Sequence, residues 1–159
     1  MLDEIPGIGL QSAQRIIAET GIVMKQFRSA DAFASWAGLV PGCNESAGKK
    51  KSTRIRKGNK FLKSTLVECA RASIRRKDSY YYAKYCKISA RRGGKRALIA
   101  IAHTMALAIY NILAKKQHFY DLGSDFYTTL NAERIMKRNL ASLNSLGYIV
   151  TLQPLPATQ

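Results

Sequence analysis

Apolar residues recur along this chain at helical rather than alternating spacing, and glycine and proline cut the pattern into short elements. Leu2, Ile5, Ile8, Ala13, Ile16 and Ile17 predict a short helix, a tight turn and a second helix. Gly7 and Gly9 supply the turn, and Gly21 is the expected C-cap. Ser29 is a candidate N-cap for a helix running to Ala37, with Phe33 and Trp36 facing the core. Gly38-Leu39-Val40-Pro41-Gly42 breaks that helix, and the Gly, Ser, Lys and Arg content from there to Asn59 predicts a loop. Phe61–Arg76 reads as a helix with Leu62, Leu66, Cys69, Ala70 and Ser73 inward and Lys63, Arg71 and Arg75 outward. Asp78 or Ser79 caps the next helix, which holds Tyr80, Tyr81, Tyr82 and Tyr85 and reaches Ala90. Gly93-Gly94 separates it from a long apolar helix, Lys95–Lys116. After Asp121-Leu122-Gly123 the composition shifts. Thr129–Leu146 predicts an amphipathic helix, Tyr148–Leu152 a short strand with Ile149, Val150 and Thr151, and Gln153–Gln159 a frayed end.

The expected class is mainly α: a helix-hairpin-helix followed by a small helical bundle, with a short C-terminal strand or extended tail. The segments are 1–27, 28–123 and 124–159. At 159 residues and 47% apolar, the chain can bury a core of its own, and its periodic blocks argue against disorder. Ala97–Ala114 is eighteen residues without a formal charge. It is rich in alanine and interrupted by His103, Thr104 and Asn111, so it reads as a central core helix and no membrane partner is expected. Cys43, Cys69 and Cys86 are scattered without a CxxC spacing, and His103 and His118 are the two histidines. That set argues against a zinc site and for a reduced, cytoplasmic setting. MLDEIPGIGL carries no basic stretch followed by an apolar run, so no signal peptide is expected.

Charge adds a partner to this picture. Eighteen of the twenty-six Lys and Arg residues lie between Lys49 and Arg96, opposed there only by Glu68 and Asp78, so this segment carries the entire formal charge of +16. A charge so concentrated calls for a polyanion, and nucleic acid is the expected partner. The run Lys49, Lys50, Lys51, Arg54, Arg56, Lys57, Asn59 and Lys60 supplies candidate phosphate contacts, against the plain alternative of a solvated face. In the IPGIG turn, Gly7 and Gly9 let a phosphate approach the backbone near free N–H groups at a helix start, while an ordinary helical hairpin needs glycine there too. The tyrosines can stack on bases, although consecutive positions cannot all face one way and packing claims some of them.

Ser46 is the sharpest chemical candidate. A serine in an exposed Ser-Ala-Gly loop is ordinarily a turn former. As a nucleophile it needs an activating base or a metal-organised phosphate, and neither histidine is near it in sequence. What it has is a glycine behind it and a cationic run beside it that would steady a developing phosphorane charge.

Taken together, IPGIGLQSAQRIIAETG, FRSADAFASWAGLVPG, NESAGKKKSTRIRKGNKFLKSTLVECA and HFYDLG resemble the C-terminal half of the bridge-RNA-guided insertion-sequence transposases of the 110/116/902 group. The resemblance spans nearly the whole chain. It implies that Ser46, followed by Ala47 and Gly48, attacks a DNA phosphodiester and becomes covalently linked to it. It further implies that Thr53-Arg54-Ile55-Arg56-Lys57-Gly58-Asn59-Lys60 is the basic segment beside that serine. DNA, a guide RNA and a second protomer in an oligomeric synaptic complex are the implied partners, in a bacterial or archaeal cytoplasm close to the nucleoid. Members of the family carry an N-terminal ribonuclease-H-like domain whose four carboxylates hold Mg2+. Asp3, Glu4, Glu19, Asp31 and Glu45 are too scattered to replace it, so no metal and no cofactor is expected on this chain, which reads as a truncated transposase inactive by itself. The alternative is a non-catalytic helix-hairpin-helix module that binds nucleic acid, or an inactive transposase fragment.

Overall fold

The structure is a computed structural model that describes residues 1–42, 44–46, 49–52 and 55–151, with the backbone alone at 44–46, 49–52 and Glu133. Cys43, the Ala47-Gly48 connection, Thr53, Arg54, and the expected strand end at Leu152 with the tail beyond it lie outside the described residues. The chain divides into two compact units, Met1–Ser124 and Asp125–Gln159.

In the first unit a 3-10 turn, Leu2–Glu4, leads through Gly7 into α1, Leu10–Thr20. Leu2, Ile5, Ile8, Ala13 and Ile16 are buried as their spacing predicts, whereas Ile17 is partly exposed because it lies one position off the inward stripe. Helix α2, Ala30–Trp36, is capped by Ser29, whose Oγ accepts from the Ala32 N–H at 3.1 Å. Phe33 is buried, but Trp36 is half-exposed and packs its ring against Phe27 and Phe33. A two-stranded ribbon follows, β1 Asn44–Ser46 and β2 Lys49–Ser52, where the sequence predicts only loop. Helix α3, Lys60–Ser73, buries Leu62, Leu66, Cys69, Ala70 and Ser73, the full inward set expected.

Helix α4, Tyr80–Arg92, starts under two caps. Ser79 Oγ accepts from Tyr82 N–H at 3.2 Å, and Asp121 Oδ1 accepts from Tyr80 N–H at 2.9 Å. A carboxylate there also complements the positive end of the helix dipole. Tyr81 is buried, and its hydroxyl is held well above the usual phenol range by that burial. Helix α5, Gly94–Lys115, is the centre of the unit and lies against α2, α3 and α4. Ala97, Ile101, Ala102, Met105, Ala106, Ile109 and Ile112 form its buried stripe, with alanines allowing close helix approach. By length and composition alone α5 could cross a membrane; here three helices cover its apolar stripe.

The second unit holds α6, Phe126–Leu130, and α7, Ala132–Ser145, so the single helix expected over Thr129–Leu146 is broken at Asn131. Asn131 Nδ2 donates back to the Tyr127 carbonyl at 2.8 Å, a local bond that competes with helix continuation. At the end of α7, Tyr148 N–H donates to the Leu143 carbonyl and Gly147 N–H to the Asn144 carbonyl, with Gly147 at φ 87°. This pair of bonds is a Schellman stop. Residues 148–151 then run without strand structure, correcting the predicted strand in favour of the extended tail. Ile149, Val150 and Thr151 have the right side chains but no neighbouring strand among the described residues, and Ile149 is fully exposed.

Candidate nucleic-acid interface and serine ribbon

The site begins at a backbone contact. Gly38 follows α2 with φ 71°, and Gly58 lies so close to it that a Cβ on Gly58 would sit 2.4 Å from the Gly38 nitrogen and 2.6 Å from the Trp36 oxygen. Two glycines are needed here because two chains cross backbone to backbone. Around the crossing, Arg56 N–H donates to the Val40 carbonyl at 3.2 Å and Asn59 N–H to the Trp36 carbonyl at 3.1 Å. Pro41 and Ile55 then pair in an antiparallel bridge. Further out Asn44 pairs with Ser52, Glu45 with Lys50 and Ser46 with Lys49. The register slips between Asn44 and Glu45, leaving Lys51 as the extra residue of a bulge.

Ser46 therefore ends β1 at the outer end of a ribbon, opposite Lys49, with Lys49, Lys50 and Lys51 on the returning strand. Lysine-rich strands have poor β-propensity, and a lone two-stranded hairpin is marginal in water. The anchored base at Gly38 and Gly58 fixes the strands where local propensity does not. Arg56, Lys57 and Lys60 are exposed where the ribbon rejoins α3. Asn59 caps α3: its Oδ1 accepts from Leu62 N–H at 2.9 Å, and its Nδ2 donates to Glu19 Oε2 at 2.7 Å. Arg54 lies outside the described residues.

The two glycines of the first turn also part company. Gly7 has φ 88°, and a Cβ there would meet the Cys69 carbonyl oxygen at 2.4 Å and the Ser73 nitrogen at 2.6 Å. Packing against α3 accounts for glycine at this position. Gly9 is the N-cap of α1, makes no side-chain cap bond, and has open space where a Cβ would stand.

A groove of about 600 Å3 opens at the foot of the ribbon, and sequence reasoning missed it. Its apolar floor includes Leu39, Pro41, Ile55 and Ile99; its polar wall is Lys84, His103 and Thr104, and its rim Arg92, Lys95 and Arg96. Lys84 Nζ donates to Thr104 Oγ1 at 2.7 Å and to Tyr80 Oη at 3.3 Å. Arg92, Lys95 and Arg96 make no ion pair among the described residues. Half-burial, reinforced by the Lys84 charge and offset by Asp31, holds the His103 imidazole below its ordinary pKa. The available signal was the charge count, which continues well past Lys63 to Arg96. No cluster of three His, Cys, Asp or Glu side chains occurs among the described residues, so these do not fit a divalent-metal site.

Comparison with known proteins agrees with the sequence resemblance. The chain belongs to the family described as "Transposase IS116/IS110/IS902 family", whose pattern matches residues 1–87. The transposase for insertion sequence element IS1111A from Coxiella burnetii is 30% identical over 122 residues, covering 74% of this chain and 33% of that protein. A probable family 20 transposase from Pseudomonas aeruginosa is 38% identical over 72 residues, covering 45% of this chain and 21% of that protein. The chain thus matches about a third or less of the length of these relatives.

Proposed function

We propose that this chain is the DNA-gripping, serine-bearing part of a transposase that cuts and exchanges DNA strands. One observation supports the reading above others: a serine at the outer end of a ribbon, paired with Lys49 and anchored at its base by a glycine–glycine backbone contact. A duplex lying along the basic strand would bring a phosphodiester to Ser46, with Arg56, Lys57 and Lys60 on neighbouring phosphates and Gly9 beside another part of the backbone. Ser46 Oγ attacks phosphorus; the Oγ–P bond forms as the P–O bond to one deoxyribose breaks. The serine proton passes to a base, and the departing sugar oxygen takes up a proton. Attack by another strand's hydroxyl reverses these steps and joins the new ends.

Cations beside the phosphorane lower the barrier by stabilising charge that peaks in the transition state. A guide RNA, a second protomer and a carboxylate domain holding Mg2+ are the partners this reading adds, the metal lying off this chain. The charge of +16 confined to Lys49–Arg96 also fits a second reading, DNA binding without chemistry. The two are separated by incubating radiolabelled duplex with the chain, the carboxylate domain of a relative, magnesium and guide RNA. A denaturing gel should then show a protein–DNA adduct that Ser46→Ala abolishes while DNA binding persists. An adduct that survives Ser46→Ala moves the nucleophile elsewhere.

A further inference from the structure

We propose that the groove at the foot of the ribbon seats one unpaired nucleotide of the bound DNA, its base on the apolar floor and its phosphate on the cationic rim. The inference rests on the DNA-binding reading above but adds a site to it. Paired duplex offers phosphates outward and keeps its bases stacked, so Ile55 and Ile99 would have nothing apolar to meet. An unpaired base offers a flat apolar face that any such floor can accept. The volume of about 600 Å3 lies within the range of small-molecule sites, about 300–1,000 Å3. Charge fits the same occupant, since Arg92, Lys95 and Arg96 stand at the mouth without an acidic partner among the described residues.

The wall supplies orientation. Thr104 Oγ1 donates to the Ala100 carbonyl at 2.9 Å and accepts from Lys84, which fixes the Lys84 ammonium at the side of the groove. His103, favoured in its neutral form by burial, can donate through one ring nitrogen and accept through the other, as the edge of a base requires. Position fits as well. Pro41 in the floor is five residues from Ser46, at most about 17 Å of extended chain, or about five base steps of a duplex. Strand exchange unpairs nucleotides within a few steps of the break, and the groove lies within that reach.

The test measures affinity by fluorescence anisotropy for a paired duplex and for the same duplex with one extra unpaired thymidine. The chain, Ile99→Gln and Arg96→Gln are compared, with the bulge placed in a DNA strand and then in the RNA strand of a hybrid. The expected preference for the bulged DNA duplex is about tenfold, equivalent to about 1.4 kcal/mol and within the range of base stacking on a protein surface. Ile99→Gln brings the two affinities together, and Arg96→Gln, an exposed change that leaves the core intact, narrows the gap several-fold. A gap confined to DNA assigns the seat to the DNA strand; an equal gap with RNA assigns it to base-and-phosphate chemistry common to both. Equal affinities in the unaltered chain, or a gap that both variants keep, overturn the seat while leaving the DNA-binding reading intact. Failure to bind either duplex overturns that reading too.

Discussion

Replacing Gly58 by alanine should loosen the serine ribbon from its base. The added methyl would lie 2.4 Å from the Gly38 nitrogen, 2.6 Å from the Gly38 Cα and 2.6 Å from the Trp36 oxygen. All three are backbone atoms, so relief requires the two chains to separate. Overpacking of this kind costs about 1–3 kcal/mol. Separation also weakens the bonds from Arg56 N–H to the Val40 carbonyl and from Asn59 N–H to the Trp36 carbonyl, each worth about 0.5–1.5 kcal/mol. A total near 3 kcal/mol follows, which lowers Tm by about 10 °C for a chain of this size. Thermal unfolding by circular dichroism reads the loss, and hydrogen exchange at the Arg56 and Asn59 amides locates it. Gly9→Ala is the control: its Cβ meets nothing within 4 Å, and the cost should stay below about 1 kcal/mol. If Gly58→Ala melts with Gly9→Ala and both amides remain protected, the backbone crossing does not anchor the ribbon.

Three further outcomes follow from the same structure. Ile101 is fully buried in the central stripe, so Ile101→Asp should cost more than about 4 kcal/mol by burying an unpaired carboxylate, and an unchanged melting curve would place α5 in another environment. With about six phosphates neutralised, DNA affinity should fall with salt at a log–log slope of about −5, and a flat dependence would remove the electrostatic account. Because burial and then Lys84 hold the His103 pKa below 6.5, its neutral form contributes stability that is complete above that value. That contribution is lost as pH falls through the lower, folded-state pKa, so His103→Gln should flatten this part of the acid slope; identical slopes in both proteins would contradict it.

Helix faces were legible because burial repeats every three to four residues: the five inward positions of α3 are all buried, and the serine caps at Ser29 and Ser79 make the expected bonds. Ribbon and groove were not, for a different reason. Lys49, Lys50 and Lys51 look like loop by propensity, and their strand is held by contacts between residues such as Gly38 and Gly58, twenty positions apart. The groove joins Ile55, Lys84 and Arg96, which no local window contains. The cap that Asn59 makes was hidden because a helix cap inside a basic run has the same composition as a phosphate contact. The expected strand does not form at residues 148–151 because strand propensity carries no information about a partner, and Gly147 stops α7 just before them. Ser46 stood out through family resemblance; its residue type and surroundings alone describe a turn.

The central claim is that Ser46 forms a covalent bond to DNA, and the most direct measurement is the mass of that adduct. Protein, the carboxylate domain of a relative, magnesium, guide RNA and duplex are combined, the DNA is trimmed by nuclease, and the chain is digested with trypsin. Fragmentation should place a nucleotide phosphate on Ser46, in the peptide between Arg28 and Lys49. An adduct mapped to any other residue, or strand exchange completed with Ser46 unmodified throughout, contradicts the account.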